Sequence, residues 1–137
     1  ELLTLAAGCV TGLGLFARVP LVPDQFIAEH LGPLQGARSL LSNDLGAASA
    51  LAWRLNRSDV TLLNVDGELR YGLGYADAQD RRVLSKDVSD WLSKQMKLGP
   101  VGIVLKAPDM HGDQLPSWLP DGAKVFRENN LLIVITR

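Results

Sequence analysis

A single cysteine, Cys9, in 137 residues excludes an intrachain disulfide, and any thiolate metal site would need ligands of other types. In an apolar neighbourhood such a cysteine reads as a small buried hydrophobe. The absence of disulfides removes one argument for an oxidising compartment without excluding one. Charge of one sign is also missing. Fourteen basic against fifteen acidic residues leave a net charge of −1, with the signs interspersed, so no electrostatic footprint for nucleic acid exists. Two histidines leave little for imidazole chemistry. His30, beside Glu29, reads as a surface or half-buried side chain rather than a metal ligand. No G-x-S-x-G elbow occurs, and Cys9 has no evident histidine partner. Gly72 and Gly74 fall short of a dinucleotide fingerprint, because Asp77 stands where a third glycine is needed.

Charge is locally absent at the start. Leu2 to Ala17, LLTLAAGCVTGLGLFA, is 16 residues without a charge, ending at Arg18. A spanning helix needs roughly 20 apolar residues. Three readings fit the run: the tail of a transmembrane helix, a buried element of a soluble domain, or the apolar part of a signal peptide. No basic stretch precedes it, which disfavours the last. Gly8, Gly12 and Gly14 suit a membrane helix better than a water-soluble one, so the membrane reading is preferred, with Arg18 at the interface. Residues 1–22 are then the helix end and its connector, and 23–137 the soluble domain. Pro20, Pro23 and Pro33 mark the connecting region, in which Asp24 to Leu31 has room for a short helix.

Beyond the connector the hydrophobic pattern alternates between strand and helix. Ala37 to Ser42 predicts a strand, and Ser42, Asn43 and Asp44 supply N-cap candidates. Leu45, Ala48, Leu51, Ala52 and Leu55 recur on one face, predicting a helix over 45–55. Val60 to Leu63 is apolar throughout, as in a strand buried on both sides. Strand, helix, strand with short links is the βαβ unit. Asp66-Gly67 predicts a turn, Glu68 to Leu73 (ELRYGL) follows it, and Ala76 to Arg82 reads as a polar loop. Ser85 is a candidate cap for a helix over 86–97, with Val88, Trp91, Leu92 and Met96 inward and Gly99-Pro100 closing it. Val101 to Leu105 predicts another buried strand. Pro108 to Pro120 reads as a loop, and 123–127 with 131–136 as a terminal antiparallel hairpin. The fold class is α/β: a three-layer α/β/α sandwich on a mostly parallel sheet.

Little in this pattern is chemical. Asp109, His111 and Asp113 alternate in a loop with nothing to fix their geometry, and read as solvated side chains. Asp44 would repel an anion from the helix it precedes, which argues against a nucleotide there. Arg54, Arg57, Arg70, Arg81 and Arg82 form either a mixed surface balanced by acidic neighbours or, near a membrane, a patch for lipid phosphates. Trp53, Trp91 and Trp118 read as core or interface anchors.

The wording of the middle of the chain carries more. NDLGAASALAWRLNRSD from Asn43, GELRYGL from Gly67, Tyr75-Ala76-Asp77-Ala78-Gln79, Trp91-Leu92 and Gly99-Pro100-Val101 together resemble the C-terminal soluble domain of the bacterial aminoarabinose transferases. These are membrane-embedded glycosyltransferases of the GT-C type. The resemblance is closest from Leu40 to Leu105 and loose from Lys106 to Arg127. It implies an inner-membrane enzyme that moves 4-amino-4-deoxy-L-arabinose from undecaprenyl phosphate to lipid A, an activity that confers polymyxin resistance, with residues 23–137 in the periplasm. It implies a membrane helix directly before the domain, which suits Leu2 to Ala17. The family's catalytic acid and its lipid-phosphate and metal contacts belong to the membrane-embedded part. The resemblance therefore carries no catalytic, cofactor or metal residue onto this chain, and any divalent metal belongs elsewhere in the full protein. The expected partners are that membrane-embedded part and, through it, lipid A or the undecaprenyl-phosphate-linked sugar. Arg70, Tyr71 and Tyr75 are the interaction candidates. Tyr75-Ala76 replaces the aromatic-proline pair common in the family. The alternative reading is a free-standing α/β binding module without catalytic activity.

Overall fold

The computed structural model describes residues 23–65, 81–106 and 115–137. Leu2 to Ala17, Cys9, the stretch from Asp66 to Asp80 with Arg70, Tyr71 and Tyr75, and the loop residues Asp109, His111 and Asp113 lie outside them.

Helix α1 (Pro23–Glu29) and a short α2 (Leu31–Gln35) open the described chain. The sequence suggested one helix over 24–31, with the prolines breaking it. Pro33 instead sits in the first turn of α2, where its missing N–H would have had no intrahelical partner anyway. Strand β1 (Ser39–Ser42) leads into α3 (Leu45–Leu55), then β2 (Val60–Leu63). The last two match the ranges read from periodicity. Asp44 caps α3 in extended geometry, accepting a hydrogen bond from the Ala47 amide at 2.9 Å. Asn56 closes the helix in the left-handed region (φ 51°), which asparagine tolerates better than most residues. The buried face is centred on Ala47, Ala48, Ala50 and Leu51, while Leu45, Ala52 and Leu55 lie half-buried at its margins.

Strand β3 (Arg82–Val83) had no counterpart in the sequence reading, which ended a polar loop at Arg82. With two residues and one buried side chain, Val83, it has no periodicity to read. Helix α4 (Val88–Leu98) starts later than Ser85 suggested. Its N-cap is Asp87, whose side chain makes no capping bond. Ser85 is engaged elsewhere: its amide donates to Asn64 Oδ1 at 2.8 Å, and the Asn64 amide group donates to its hydroxyl. Strands β4 (Val101–Lys106), β5 (Lys124–Glu128) and β6 (Leu131–Ile135) complete the sheet.

Among the described residues the strand order is β3-β2-β1-β4-β6-β5. The first four strands are parallel, and β6 runs antiparallel to both β4 and β5. Because side chains alternate across each strand, every central strand feeds two cores. Leu40, Val60, Leu62, Val104, Leu131, Ile133 and Ile135 face α1, α2 and α3. Leu41, Leu63, Val83, Val101, Ile103, Leu105, Leu132 and Val134 face α4 and the segment carrying Trp118, Leu119 and Ala123. That burial on both sides explains the unbroken apolar runs VGIVL and LLIVI. The architecture is a three-layer α/β/α sandwich, as expected. No helix among the described residues is long and apolar enough to cross a membrane.

Candidate functional site

In an open parallel sheet, the default place for a ligand is the carboxyl edge where the strand order reverses. Here that point lies between β1, from which the chain winds out to β2 and β3, and β4, beyond which lie β6 and β5. Ser42, Asn43 and Asp44 leave β1 at this edge, and Lys106 ends β4 beside them.

The described part of this edge is filled by the chain itself. The Asn43 side chain behaves as a piece of strand. Its amide donates to the Lys106 carbonyl at 2.9 Å, and its oxygen accepts from the Lys106 amide at 2.7 Å. These two bonds tie the chain just past the end of β1 to the last residue of β4. The N-terminus of α3, which would otherwise attract an anion, holds the Asp44 carboxylate. Lys106 Nζ lies 3.6 Å from the other Asp44 oxygen. The Asp44 carboxylate thus occupies one amide of this helix terminus, that of Ala47, with Lys106 beside it.

A second concavity of ≈ 680 Å³ runs along β3 and α4, lined by Arg82, Val83, Leu84, Asp87, Asp90, Trp91 and Lys94. Its charges are mixed, and one aromatic side chain forms part of the wall. A third, of ≈ 310 Å³, lies under residues 115–125 against Val134. Among the described residues no three His, Cys, Asp or Glu side chains converge to hold a metal. His30 is packed between Phe26 and Phe126, with ring centroids 4.7 and 4.6 Å away, and its Nδ1 lies 2.9 Å from the Phe26 carbonyl oxygen. That is the half-buried structural role the sequence suggested.

The arginines divide. Arg54 grips Asp24 with a two-pronged guanidinium fork at 2.8 and 2.6 Å. Arg57 grips Asp59 at 2.9 and 2.6 Å and also donates to the carbonyls of Ala37 and Arg38 at 2.5 and 2.6 Å. The surface around α3 is thus balanced by acidic neighbours rather than a free basic patch. The Arg57 network, which fastens the α3–β2 link to the residues before β1, had no sequence signal, because its acceptors are backbone carbonyls. Hydrogen bonding from Arg57 holds the Asp59 carboxyl below its ordinary value, partly opposed by desolvation. A depressed native pKa gives stability that is present above the unfolded value and lost as pH falls through the folded one. We therefore expect Asp59→Asn to destabilise the domain at about pH 6, by up to about 1 kcal/mol for so exposed a pair, and to make a smaller difference near about pH 3, as the carboxylate begins to protonate. Urea denaturation of both proteins at the two pH values checks this.

Of the three tryptophans, Trp91 and Trp118 pack against the core on the α4 side. Trp53 is no core anchor, being 84% exposed on α3, which leaves the interface half of the expectation for it.

A three-layer sheet domain with its first four strands parallel, its reversal point bridged by Asn43 and Lys106 and its N-terminal helix packed beside α3, is an α/β module of the doubly wound class. Comparison with known proteins narrows the class. The family model described as arabinosyl transferase ArnT, C-terminal domain, matches residues 21–135, and the chain belongs to this family. It is 50% identical over 114 residues to undecaprenyl phosphate-alpha-4-amino-4-deoxy-L-arabinose arabinosyl transferase 2 of Pseudomonas fluorescens, an alignment covering 83% of this chain and 20% of the relative. It is 47% identical over 113 residues to the correspondingly named protein of Pseudomonas aeruginosa, covering 82% of this chain and 21% of that one. With transferase 1 of another Pseudomonas fluorescens strain it shares 44% identity over 144 residues, covering 97% of this chain and 25% of the relative. The chain thus spans about a fifth to a quarter of the curated relatives it matches. No solved structure matches it.

Proposed function

We propose that this chain is the C-terminal domain of an inner-membrane glycosyltransferase that moves 4-amino-4-deoxy-L-arabinose from undecaprenyl phosphate to lipid A. The observation that carries the proposal is the family match over residues 21–135, joined to relatives of 44–50% identity whose names state an undecaprenyl-phosphate-linked aminoarabinosyl donor. In this reading residues 23–137 stand in the periplasm, and Leu2 to Ala17 is the end of the membrane helix leading into them. The domain supplies no catalytic residue. It supports or caps the cavity of the membrane-embedded part, where any divalent metal also acts. Among the described residues, the groups at the carboxyl edge bind one another, Asn43 to Lys106 and Asp44 to the α3 terminus, in keeping with a supporting role.

Removal of residues 23–137 from the full-length protein is expected to abolish transfer of aminoarabinose to lipid A in cells lacking any other such enzyme. Unchanged transfer at unchanged protein level would sink the proposal. The substitutions Arg70→Ala, Tyr71→Phe and Tyr75→Phe separate contact from scaffold. If these side chains meet the membrane-embedded part or its substrate, turnover falls while the melting temperature holds. If both fall together, their role is structural.

A further inference from the structure

The outward row of α3 is unusual for a helix that meets only water. Gly46, Ser49, Trp53 and Asn56 are all exposed, and none is charged. A water-facing helix normally carries charges along its outer face. The one charge α3 possesses, Arg54, is neutralised by Asp24. The face is therefore small, uncharged and dominated by one side chain, Trp53, with 84% of its surface uncovered. Tryptophan joins a large apolar body to a single N–H donor. It suits neither bulk water nor hydrocarbon, and concentrates where bilayer and water meet.

The position of this face in the chain points to the same partner. The bidentate grip of Arg54 on Asp24 fixes the turn of α3 that carries Trp53 to the first turn of α1, which begins at Pro23. Six positions before Pro23 lies Ala17, the end of the uncharged run that starts at Leu2. Six residues of chain reach about 20 Å at most. If the run ends at the membrane surface, Trp53 is held within reach of that surface.

We infer that the outer face of α3, centred on Trp53, lies in the headgroup layer of the phospholipid bilayer and fixes the tilt of the domain above the membrane. The inference rests on the membrane-anchored reading proposed above. The contact is electrically neutral, since Arg54 and Asp24 cancel each other and the row itself is uncharged. It should therefore be indifferent to salt and to the proportion of anionic lipid, unlike a polybasic patch.

The test uses the full-length protein reconstituted into vesicles of phosphatidylethanolamine and phosphatidylglycerol, with ordinary or brominated acyl chains. The emission lost on Trp53→Phe substitution isolates the contribution of this residue. That contribution is expected to be blue-shifted, to lose most of its intensity in brominated lipid, and to stay quenched at high salt. Equal intensity in both lipids overturns the inference. So does a photo-reactive aromatic residue at position 53 that cross-links to another stretch of protein while the Trp53 emission remains unquenched, which would assign the face to protein docking. Trp53→Tyr, which keeps an amphipathic ring, should preserve the orientation of the domain if Trp53→Phe disturbs it. Retention after alkaline carbonate extraction distinguishes the two levels of failure. A retained protein with unquenched Trp53 sinks only this inference. An extractable one sinks the anchored reading, and this inference with it.

Discussion

Gly102→Val is expected to be among the most damaging single substitutions in the described part of the domain. Gly102 lies in β4 and is directed at the core under α2. A Cβ there would come within 3.0 Å of Leu40 Cδ2, 3.1 Å of the Ala37 Cβ and 3.1 Å of Leu34 Cδ2. The leucine ends can rotate a little, but the Ala37 Cβ cannot move without its backbone. Overpacking of this kind costs about 1–3 kcal/mol, partly offset for Gly102→Ala by the backbone entropy that glycine loses on folding. Valine adds two more methyl groups at the tightest point and has no such offset large enough to matter, so it should exceed alanine. The same geometry names its remedy. Ala37→Gly removes the stiff neighbour, and the pair Gly102→Ala with Ala37→Gly should recover part of the loss. A double-mutant cycle on urea denaturation midpoints measures that coupling. Strict additivity would mean that the crowding at Ala37 is not the cause.

The opposite operation, Ile133→Ala, should cost about as much or more. Ile133 is fully buried in β6, opposite Val104 of β4 and Phe126 of β5. Both flanking strands are hydrogen-bonded in place, so the void cannot close by moving one of them. Truncating a buried isoleucine to alanine costs about 2–5 kcal/mol, and a rigid site belongs toward the upper half of that range. For a domain of this size that is a fall in melting temperature on the order of 10 °C or more. Val125→Ala on the neighbouring strand is the internal comparison. Val125 is 40% exposed, and its loss should cost about 1 kcal/mol or less. Thermal melts of the 23–137 domain with each substitution decide whether the sheet's centre and its β5 edge differ as described.

These two positions also show where the fold could be read from sequence. The runs that became β2, β4 and β6 are apolar at every position because both faces of the sheet are covered, and such runs announce themselves. Helix α3 was equally plain, with Asp44 as its cap and a regular apolar stripe. The failures have a common physical origin. β3 is held by pairing to β2 and one buried valine, so local pattern said nothing about it. The start of α4 was misplaced because Ser85, a good cap by type, is bound by Asn64, 21 residues away in sequence. Pro33 signalled a break but sits in a first helical turn.

The site was less legible than the fold. Asn43 was read as one of three cap candidates, yet its amide completes the edge of β4 from 63 residues away. Arg57 works through the carbonyls of Ala37 and Arg38, which carry no residue-type signal. Trp53 was taken with the other tryptophans as an anchor. Its place off the apolar stripe of Leu45, Ala48, Leu51, Ala52 and Leu55 already set it apart, and the structure turns it outward while Trp91 and Trp118 pack against the core. The family, in contrast, was carried by short runs of wording along α3, Gly67 to Leu73 and the entry to β4, and the comparisons confirm it over residues 21–135.

The most direct test of the functional reading is a domain exchange. Residues 23–137 would replace the matching C-terminal part of the Pseudomonas aeruginosa relative, to which the chain is 47% identical. Mass spectrometry of lipid A from cells dependent on the chimera then reports transfer. The account expects aminoarabinose on lipid A, at a level well above that of the truncated relative without any C-terminal domain. A chimera that reaches the membrane in normal amount and folds, yet leaves lipid A unmodified, would contradict it.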